Sequence, residues 1–466
     1  MGGLFGNLET GKRALNAHQA AISTTGHNIA NVDTEGYSKQ NVIVEASTPL
    51  NQIYGQVGKG VDIKSITRQS DDLLFNHLIE STSQSGEWER NEALAQEIEA
   101  VYNEPSEFGL NTTLSDFFNS WSDLASNPEI KSFKMNVVEK SQTLVDSLNR
   151  LDTELWGMRQ RIEDQITDRV SNLNNYAQEV AELNVGIARI ENTQNQSAND
   201  LRDKRDQLLL NMATIADIKI KEYDNGMVKV TLNGLSIVEN DLSFELKTDK
   251  RMTDNEFAEV KILMTDSKER QVTISSGELK GLLDIHGDFL VDQIRNLDQL
   301  SLSIADEVNR IHRNGYGSES SESSGVLFFD QRTTGAGDIK LADPIRLDAG
   351  NVAASATGAS GDNQIALSIA ELKNKKTMDN QSMTYSRFYE TITNEIGQKS
   401  QIATSNKKNQ DTLTEQVKNF KETMSGVQLD SELTTLIRLQ SSYQAAARLI
   451  TTVDTLLNTV INTMAR

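Results

Sequence analysis

Apolar residues at both ends of the chain recur every seven positions, which predicts two helices that each need a helical partner. Each series marks one stripe along a helix, and a second C-terminal series follows three positions after the main one. Paired series of this kind are the a and d positions of a coiled coil. We therefore expect the terminal helices to pair, with the candidate assembly interface at Leu8, Leu15, Ile22, Ile29, Leu429, Leu436, Tyr443, Ile450, Leu457 and Met464. The second C-terminal series comprises Leu439, Ala446, Val453 and Val460.

The longest regular pattern lies between the termini and predicts a helical rod. Its mean step is about 3.5 residues, nearer the supercoiled repeat than the 3.6 of a straight helix. At 1.5 Å per residue the predicted rod is about 70 Å long. The stripe comprises Leu144, Leu148, Leu151, Leu155, Met158, Ile162, Ile166, Val170, Leu173, Tyr176, Val180, Leu183, Ile187 and Ile190.

Other amphipathic segments predict helices at 71–101, 113–125, 282–312 and 385–424. We expect these helices to pack beside the rod, including the last one, which carries Ile392, Ile396, Leu413, Val417, Phe420 and Met424.

A different pattern begins near residue 217, where apolar residues alternate with polar ones. Asn225-Gly226 and Asn233-Gly234 interrupt the alternation, and such dipeptides favour tight hairpin turns. We interpret 217–275 as a small inserted β domain. The predicted class is thus mainly α with an inserted β domain (α+β), in an elongated multidomain protein.

The predicted domains are built from segments that are distant in sequence. Residues 1–36 and 430–466 form a terminal coiled-coil domain for polymerisation. Residues 37–216 and 276–429 form a helical rod or bundle, within which 315–362 is rich in loops.

Composition narrows the possible functions. The 466 residues include no cysteine, so neither a disulfide nor a thiolate metal site can form. The formal net charge of −21 argues against nucleic-acid binding, which needs a basic surface to replace counterions. No segment has the apolar length of a membrane helix, and the N-terminus lacks the apolar centre of a cleavable signal peptide.

Residues able to carry chemistry are sparse and scattered, so we expect neither an enzyme nor a cofactor or metal site. The histidines lack the close spacing of a zinc site. Gly55-Gln-Val-Gly-Lys-Gly60 lacks the spacing and the following Ser or Thr of a phosphate-binding loop, and is interpreted as a glycine-rich turn. The five histidines are His18, His27, His77, His286 and His312.

Both ends of the chain carry a distinctive sequence motif. The N-terminal motif is Asn16–Ser38, which includes His27-Asn-Ile-Ala-Asn31 and Gly36-Tyr37. The C-terminal motif comprises Ser425–Asp430 and Leu436–Ile450. Together these motifs resemble those of the flagellar rod, hook and hook-associated proteins. The signature residues at the N-terminus are His27, Asn28, Asn31, Gly36 and Tyr37.

Two motifs lie in the middle of the chain. One is Asn199-Asp-Leu-Arg-Asp-Lys-Arg-Asp-Gln-Leu208, and the other is Ser276–Leu283, which leads into a helix that ends at Asn309–His312. Both resemble motifs of one branch, the FlgK family of hook-associated proteins. In this segment the resemblance marks Arg202, Arg205 and Asp206 as signature residues.

The resemblance implies a structural subunit that joins hook to filament as a ring or helical layer of copies. It implies contacts with the hook protein and with the second hook–filament junction protein, and a cytoplasmic export chaperone on the C-terminal segment. It also implies an extracellular location, reached through the flagellar type III apparatus without a cleaved signal. The alternatives are another axial flagellar protein such as the hook protein, a coiled-coil adhesin, or, remotely, a cell-wall hydrolase.

Overall fold

Two terminal helices, a long central helix and several small sheets make up the chain in the computed structural model. The structure describes residues 2–52, 55–104, 106, 109–194, 196–252, 257–317 and 324–464. Its longer helices are α1 (Gly2–Ala30), α2 (Asp72–Tyr102), α3 (Leu110–Ser126), α4 (Lys131–Gln194), α5 (Asn199–Ile215), α6 (Glu278–Asp284), α7 (Leu290–His312), α8 (Asp343–Leu347), α9 (Gln364–Glu371), α10 (Tyr385–Ser425) and α11 (Leu429–Met464).

The predicted rod is α4, which extends the predicted segment at both ends to 64 residues, or about 96 Å. Its predicted apolar stripe faces the core along most of this length. Only Tyr176, Leu183 and Ile190 of the stripe are half-buried, and the other members are at most 3% exposed. Helices α3, α5 and α7 pack against this buried face.

The helices predicted at 71–101, 113–125, 282–312 and 385–424 are all present, with similar bounds. Between α6 and α7 the chain makes one π-helical turn, Ile285–Phe289. The side chain of Asp71 caps α2 by accepting from the backbone N–H groups of Leu73 and Leu74. The helical expectation for the chain as a whole is therefore confirmed.

One expectation for α10 is wrong. Leu413, Phe420 and Met424 do not pack beside the rod, since they are 53%, 56% and 44% exposed. Helix α10 packs instead against α2. The buried face of α10 includes Tyr389 and Ile396. The helical period fits both faces, and the sequence pattern alone does not choose between them.

The inserted β segment forms two units beside the rod. Strands β5 (Ile218–Glu222), β6 (Val228–Leu232), β7 (Leu235–Glu239) and β8 (Leu242–Ser243) form an antiparallel sheet, β5-β6-β7-β8. Strands β9 (Leu246–Met252) and β10 (Ala258–Met264) form a separate antiparallel hairpin. The two Asn-Gly dipeptides lie in the turns of the first sheet, as predicted.

Sequence reasoning did not predict a β ribbon that follows α1. Strands β1 (Gln40–Ala46) and β4 (Val61–Arg68) pair antiparallel, with an irregularity between Ile43 and Val44. Strands β2 (Leu50–Gln52) and β3 (Gly55–Val57) pair at its tip. Glycine-rich residues 55–60, interpreted as a turn, contribute to β3 and the link that follows it.

The segment predicted as loop-rich, 315–362, joins the main core where the structure describes it. Residues 318–323 of that segment lie outside the described residues. Phe328 and Phe329 are fully buried against Phe117, and Phe328 also packs on Trp121. This segment therefore belongs to the helical body and is not a separate layer.

Candidate assembly interface and its anchor

Helices α1 and α11 pack against each other along much of their length, and we call this contact the terminal seam. Leu8, Leu15, Ile22 and Ile29 of α1 are half-buried, as are Leu436, Ile450 and Leu457 of α11. Leu429 and Tyr443 are more open, at 44% and 36% exposed. The side chain of Met464 lies outside the described residues.

Small residues, more than the predicted leucines and isoleucines, occupy the closest part of the terminal seam. Ala17, Ala446 and Val453 are 5%, 8% and 3% exposed. Gly11 is also buried, and a Cβ at this position would lie 2.8 Å from Cγ1 of Ile450. Small side chains at Gly11, Ala17 and Ala446 thus allow the two backbones to approach each other.

The seam does not cover α11 completely. Leu433, Ile437, Leu456 and Ile461 are 47%, 65%, 49% and 60% exposed. At 100° per residue, Leu433, Ile437 and Leu456 lie about 100° or more around the helix from the centre of the α1 contact at Ala446 and Ile450. A helix with apolar residues on more faces than one neighbour can cover has surface left for further helices.

Asn28, near the end of α1, has all its side-chain hydrogen-bonding groups paired. Its Nδ2 donates to the carbonyl oxygen of Gln40 at 2.9 Å and to Oε2 of Glu432 at 3.1 Å. Its Oδ1 accepts from the Tyr37 hydroxyl at 2.8 Å and from the Gln40 N–H at 3.0 Å. Because Asn28 is only 1% exposed, these partners satisfy a buried amide that would otherwise oppose folding.

Glu432, in the first turn of α11, completes this contact. Its side chain is 2% exposed, and its Oε1 lies 2.6 Å from the Lys39 Nζ. The end of α1, the start of β1 and the start of α11 therefore meet around one ion pair, in which Glu432 is buried and Lys39 is half-buried. The N-terminal position of Glu432 in its helix also suits a negative charge.

The signature segment at the start of α5 holds the other side of this contact. Asp203 accepts from the Ser38 N–H at 3.0 Å and from Arg68 Nη1 at 2.9 Å. Arg68 Nη1 also donates to Asp206 at 2.5 Å. Gln40 Nε2 donates to Asp200 at 2.9 Å. We call the whole set the anchor network, comprising Asn28, Tyr37, Ser38, Lys39, Gln40, Arg68, Asp200, Asp203, Asp206 and Glu432.

Arg202 and Arg205 bind α5 to the rest of the body. Arg202 donates to Glu191 at the end of α4, through Nε at 2.7 Å and Nη2 at 2.9 Å. Arg205 is 1% exposed and donates to the Gly226 carbonyl oxygen at 2.7 Å and to Glu222 at 3.0 Å. These two side chains hold the α5 carboxylates rigidly, so the anchor network is fixed to the rod and the sheet.

The remaining signature residues form the turn after α1. The His27 ring packs edge-on against the Tyr37 ring with centroids 5.6 Å apart, and Asn31 Nδ2 donates to the His27 carbonyl oxygen at 3.0 Å. Gly36 has φ +80°, and a Cβ there would approach Gln207 Oε1 to 3.0 Å. Both the backbone conformation and the close approach favour glycine.

Burial dominates the electrostatics of the anchor network. It raises the pKa of Asp206 above its usual range, although Arg68 opposes the shift. It also raises the pKa of the Tyr37 hydroxyl, with the charges of Asp200 and Asp203 adding to the effect. Burial alone would lower the pKa of Arg68, but Asp206 and Asp203 more than offset it. The Arg68 charge therefore stays tied to its two carboxylates.

All eight predicted signature residues thus lie in or beside the anchor network. The resemblance identified them but not their main partners, Lys39, Arg68, Asp203 and Glu432. Asp203 lies inside the Asn199–Leu208 motif, between Arg202 and Arg205. Its place in that motif is the signal that could have identified it. Nothing in the local sequence around Lys39 or Arg68 pointed to a role for either residue.

Comparison with known proteins places the same three segments in flagellar families. The family model "Flagellar hook-associated protein FlgK helical domain" matches residues 95–329. "Flagella basal body rod protein" matches 8–37, and "Flagellar basal body rod FlgEFG protein C-terminal" matches 423–464. Flagellar hook-associated protein 1 of Bacillus subtilis is 30% identical, over 99% of this chain and 98% of that protein. This chain belongs to the FlgK family.

Other FlgK proteins are also similar to this chain. The hook-associated protein 1 of Escherichia coli is 29% identical over 73% of this chain, and the match spans 63% of that protein. A solved FlgK structure from Burkholderia pseudomallei, a flagellar hook junction protein, has a TM-score of 0.66 and 14% identity. The match covers 74% of this chain and 99% of the B. pseudomallei chain, and it supports the mainly α fold.

As a member of the FlgK family, the chain is a structural component of the bacterial flagellum and associates with other axial components. This assignment replaces the adhesin alternative. Among the residues that the structure describes, no three His, Asp or Glu side chains are placed to hold a metal ion. No helix in the described part of the chain has both the length and the apolarity to cross a membrane.

The three family matches give the anchor network a particular place. Asn28 lies in the N-terminal family segment, Glu432 in the C-terminal one, and Asp203 in the FlgK helical domain. The network is therefore the point at which all three segments make contact.

Proposed function

We propose that copies of this chain form the layer that joins the flagellar hook to the filament. The observation that carries this proposal is the combination of a partly covered terminal seam with a rigid anchor. The B. subtilis relative is named a hook-associated protein, and the B. pseudomallei structure is a hook junction protein. The terminal seam packs among neighbours, while the anchor network fixes its orientation relative to the body.

The assembly interface in this proposal comprises the predicted stripe residues. Leu8, Leu15, Ile22, Ile29, Leu436, Ile450 and Leu457 hold the seam together within one subunit, and Leu429 and Tyr443 face neighbouring copies. Met464 is assigned to the same interface from its place in the heptad series alone. The exposed Leu433 and Ile437 enlarge the surface available to neighbours.

The partners in this proposal are the hook protein on one side and the second hook–filament junction protein on the other. The subunit reaches this place through the flagellar type III apparatus, without a cleaved signal, and acts outside the cell. A cytoplasmic chaperone covers the C-terminal segment before export. Its target is the apolar surface of α11, which would otherwise be open to aggregation.

Deletion of the gene tests the junction function. We expect cells that make hooks without filaments and release flagellin into the medium, and we expect the intact gene to restore filaments. Normal filaments in the deletion strain would refute the proposal.

A substitution tests the interface. Tyr443→Asp places a charge at the edge of the terminal seam, so we expect loss of incorporation with a nearly unchanged melting temperature of the body. If melting shifts strongly downward instead, Tyr443 supports the monomer and not its contacts. Chaperone binding is tested by co-purification of the full chain from cytosol, with and without Ile437→Asp.

A further inference from the structure

Helix α10 carries an exposed stripe that the fold leaves uncovered. Positions along it alternate in steps of four and three residues, the spacing of a coiled-coil seam. Ile402, Leu413 and Phe420 in this stripe are 46%, 53% and 56% exposed. We call it the α10 stripe, comprising Ile402, Asn406, Asn409, Leu413, Gln416 and Phe420.

The α10 stripe contains no charged side chain, although the helix around it is rich in charge. At 100° per residue, every charged residue between 400 and 425 lies at least about 100° from the centre of the stripe. Half of the helix surface over about 30 Å is therefore uncharged. The charged residues in this stretch are Lys407, Lys408, Asp411, Glu415, Lys418, Lys421 and Glu422.

The α10 stripe is separate from the face that α10 uses within the chain. Tyr389, Ile392, Ile396, Ala403 and Gln410 form the buried face. This face lies about 110° around the helix from the stripe. The helix thus has one face that the subunit itself covers and an uncharged stripe, with three apolar and three amide side chains, that it leaves open.

We propose that the α10 stripe packs against a helix of a second copy of this chain in the assembled layer. This inference rests on the proposed junction function, which surrounds each subunit with copies of itself. Two copies with a net charge of −21 each repel one another, and that repulsion is least where neither surface carries charge. The heptad spacing suits a helix as the occupant, since knobs at a and d positions need a facing helix.

The position of the α10 stripe also supports a second copy of the chain as its partner. Met424, 44% exposed, follows it on the same side of α10, and only three residues separate the end of α10 from the start of α11. Leu429, Leu433 and Ile437 on α11 are exposed as well. The stripe therefore runs in sequence into the exposed surface of the terminal seam, which the assembly function already assigns to neighbouring copies.

Asn406 and Asn409 give the contact a means of selecting one register. A polar residue at a seam position finds a partner only in one alignment of the helices, at some cost in stability. Their placement between Ile402 and Leu413 puts the selective positions inside the stripe.

Site-specific photo-crosslinking tests the proposal on the full chain in a deletion strain. A photo-reactive amino acid replaces Leu413 in one strain and Thr404 in the control, since Thr404 is exposed on another side of α10. We expect a crosslinked dimer of this chain in isolated flagella from the Leu413 strain only. Crosslinks from Leu413 to a different protein alone, or no crosslink, would overturn the proposal.

A pair of substitutions provides a second measurement. Leu413→Glu places a carboxylate in the proposed contact of the α10 stripe, where the charge would lose its water. We therefore expect incorporation into flagella to fall at least about tenfold. Thr404→Glu should incorporate normally, and both variants should melt like the wild type because both sites are exposed. If Leu413→Glu incorporates normally, the stripe contact is refuted while the junction function stands, because only the gene deletion tests that function.

Discussion

Gly11 and Ile450 lie so close in the terminal seam that a Cβ on Gly11 would come within 2.8 Å of Cγ1 of Ile450. Gly11→Ala should therefore push the helices apart and reduce incorporation into flagella. Gly6→Ala is the matched control, because a Cβ at Gly6 meets nothing within 4 Å.

Combining Gly11→Ala with Ile450→Ala tests the cause of this defect. Ile450→Ala removes the atom that the new Cβ would meet, so the double variant should be less impaired than the sum of the two single changes. Additive losses, measured as incorporated protein per flagellum, would show that the close approach is not responsible.

Glu432 should stabilise the docking of α11 on the anchor network. Glu432→Ala leaves the Lys39 ammonium and the Asn28 amide without their shared partner, and breaking a buried ion pair costs about 3 kcal/mol. We expect faster hydrogen exchange in the first turns of α11, while α4 exchanges as before. Asp430→Ala, an exposed change in the same turn, should have little effect.

His312 should make the body less stable in acid. Its Nδ1 lies 2.8 Å from the Val326 carbonyl oxygen, and its Nε2 accepts from the Ala353 N–H at 2.9 Å. This arrangement fits the neutral ring, and burial lowers the pKa of His312 to about 4. The unfolded chain, with a histidine pKa near 6.5, then binds more protons between these two values, so stability falls as the pH drops from about 6.5 to 4.

The full contribution of the His312 pKa shift to the free energy of unfolding is about 3 kcal/mol. It is present only above the pKa of the unfolded histidine. Urea unfolding at pH 7 and pH 4 measures it. His312→Gln should flatten this part of the pH dependence, whereas the exposed His77→Gln should leave it unchanged. An identical slope in the His312 variant would exclude the ring as its source.

Asp152 should act in the opposite direction. Burial and the neighbouring charge of Asp298 raise its pKa to about 6. The folded state therefore favours the protonated acid, and stability rises as the pH falls from about 6 towards 4. Asp152→Asn should raise the melting temperature at pH 8 and change it little at pH 4, with the exposed Asp168→Asn as control. A lower melting temperature at pH 8 would contradict this account.

The sequence predicts the rod well because its period continues over many turns, so one apolar face is unambiguous. It does not predict the β1–β4 ribbon, where an irregularity after Ile43 breaks the alternation and the strands are largely exposed. It also misplaces the exposed side chains Leu413 and Phe420 of α10, since the helical period fits the exposed stripe as well as the buried face.

The anchor network shows a second limit of prediction from the sequence. Periodicity describes neighbours along one element, but Arg68 meets Asp203 across 135 residues and Lys39 meets Glu432 from the other end of the chain. Resemblance to a family identified Asn28 and Arg205 without saying what they touch. Only the folded chain supplies those pairings.

Asn28 and Glu432 are separated by 404 residues along the chain. A contact over such a distance carries a large loop-closure cost, so it forms after local helices have formed. A chain cut short before Glu432 could fold its rod yet would lack the buried pair that orients the terminal helices. We therefore expect subunits truncated before Glu432 to be incorporated into flagella less well than complete ones.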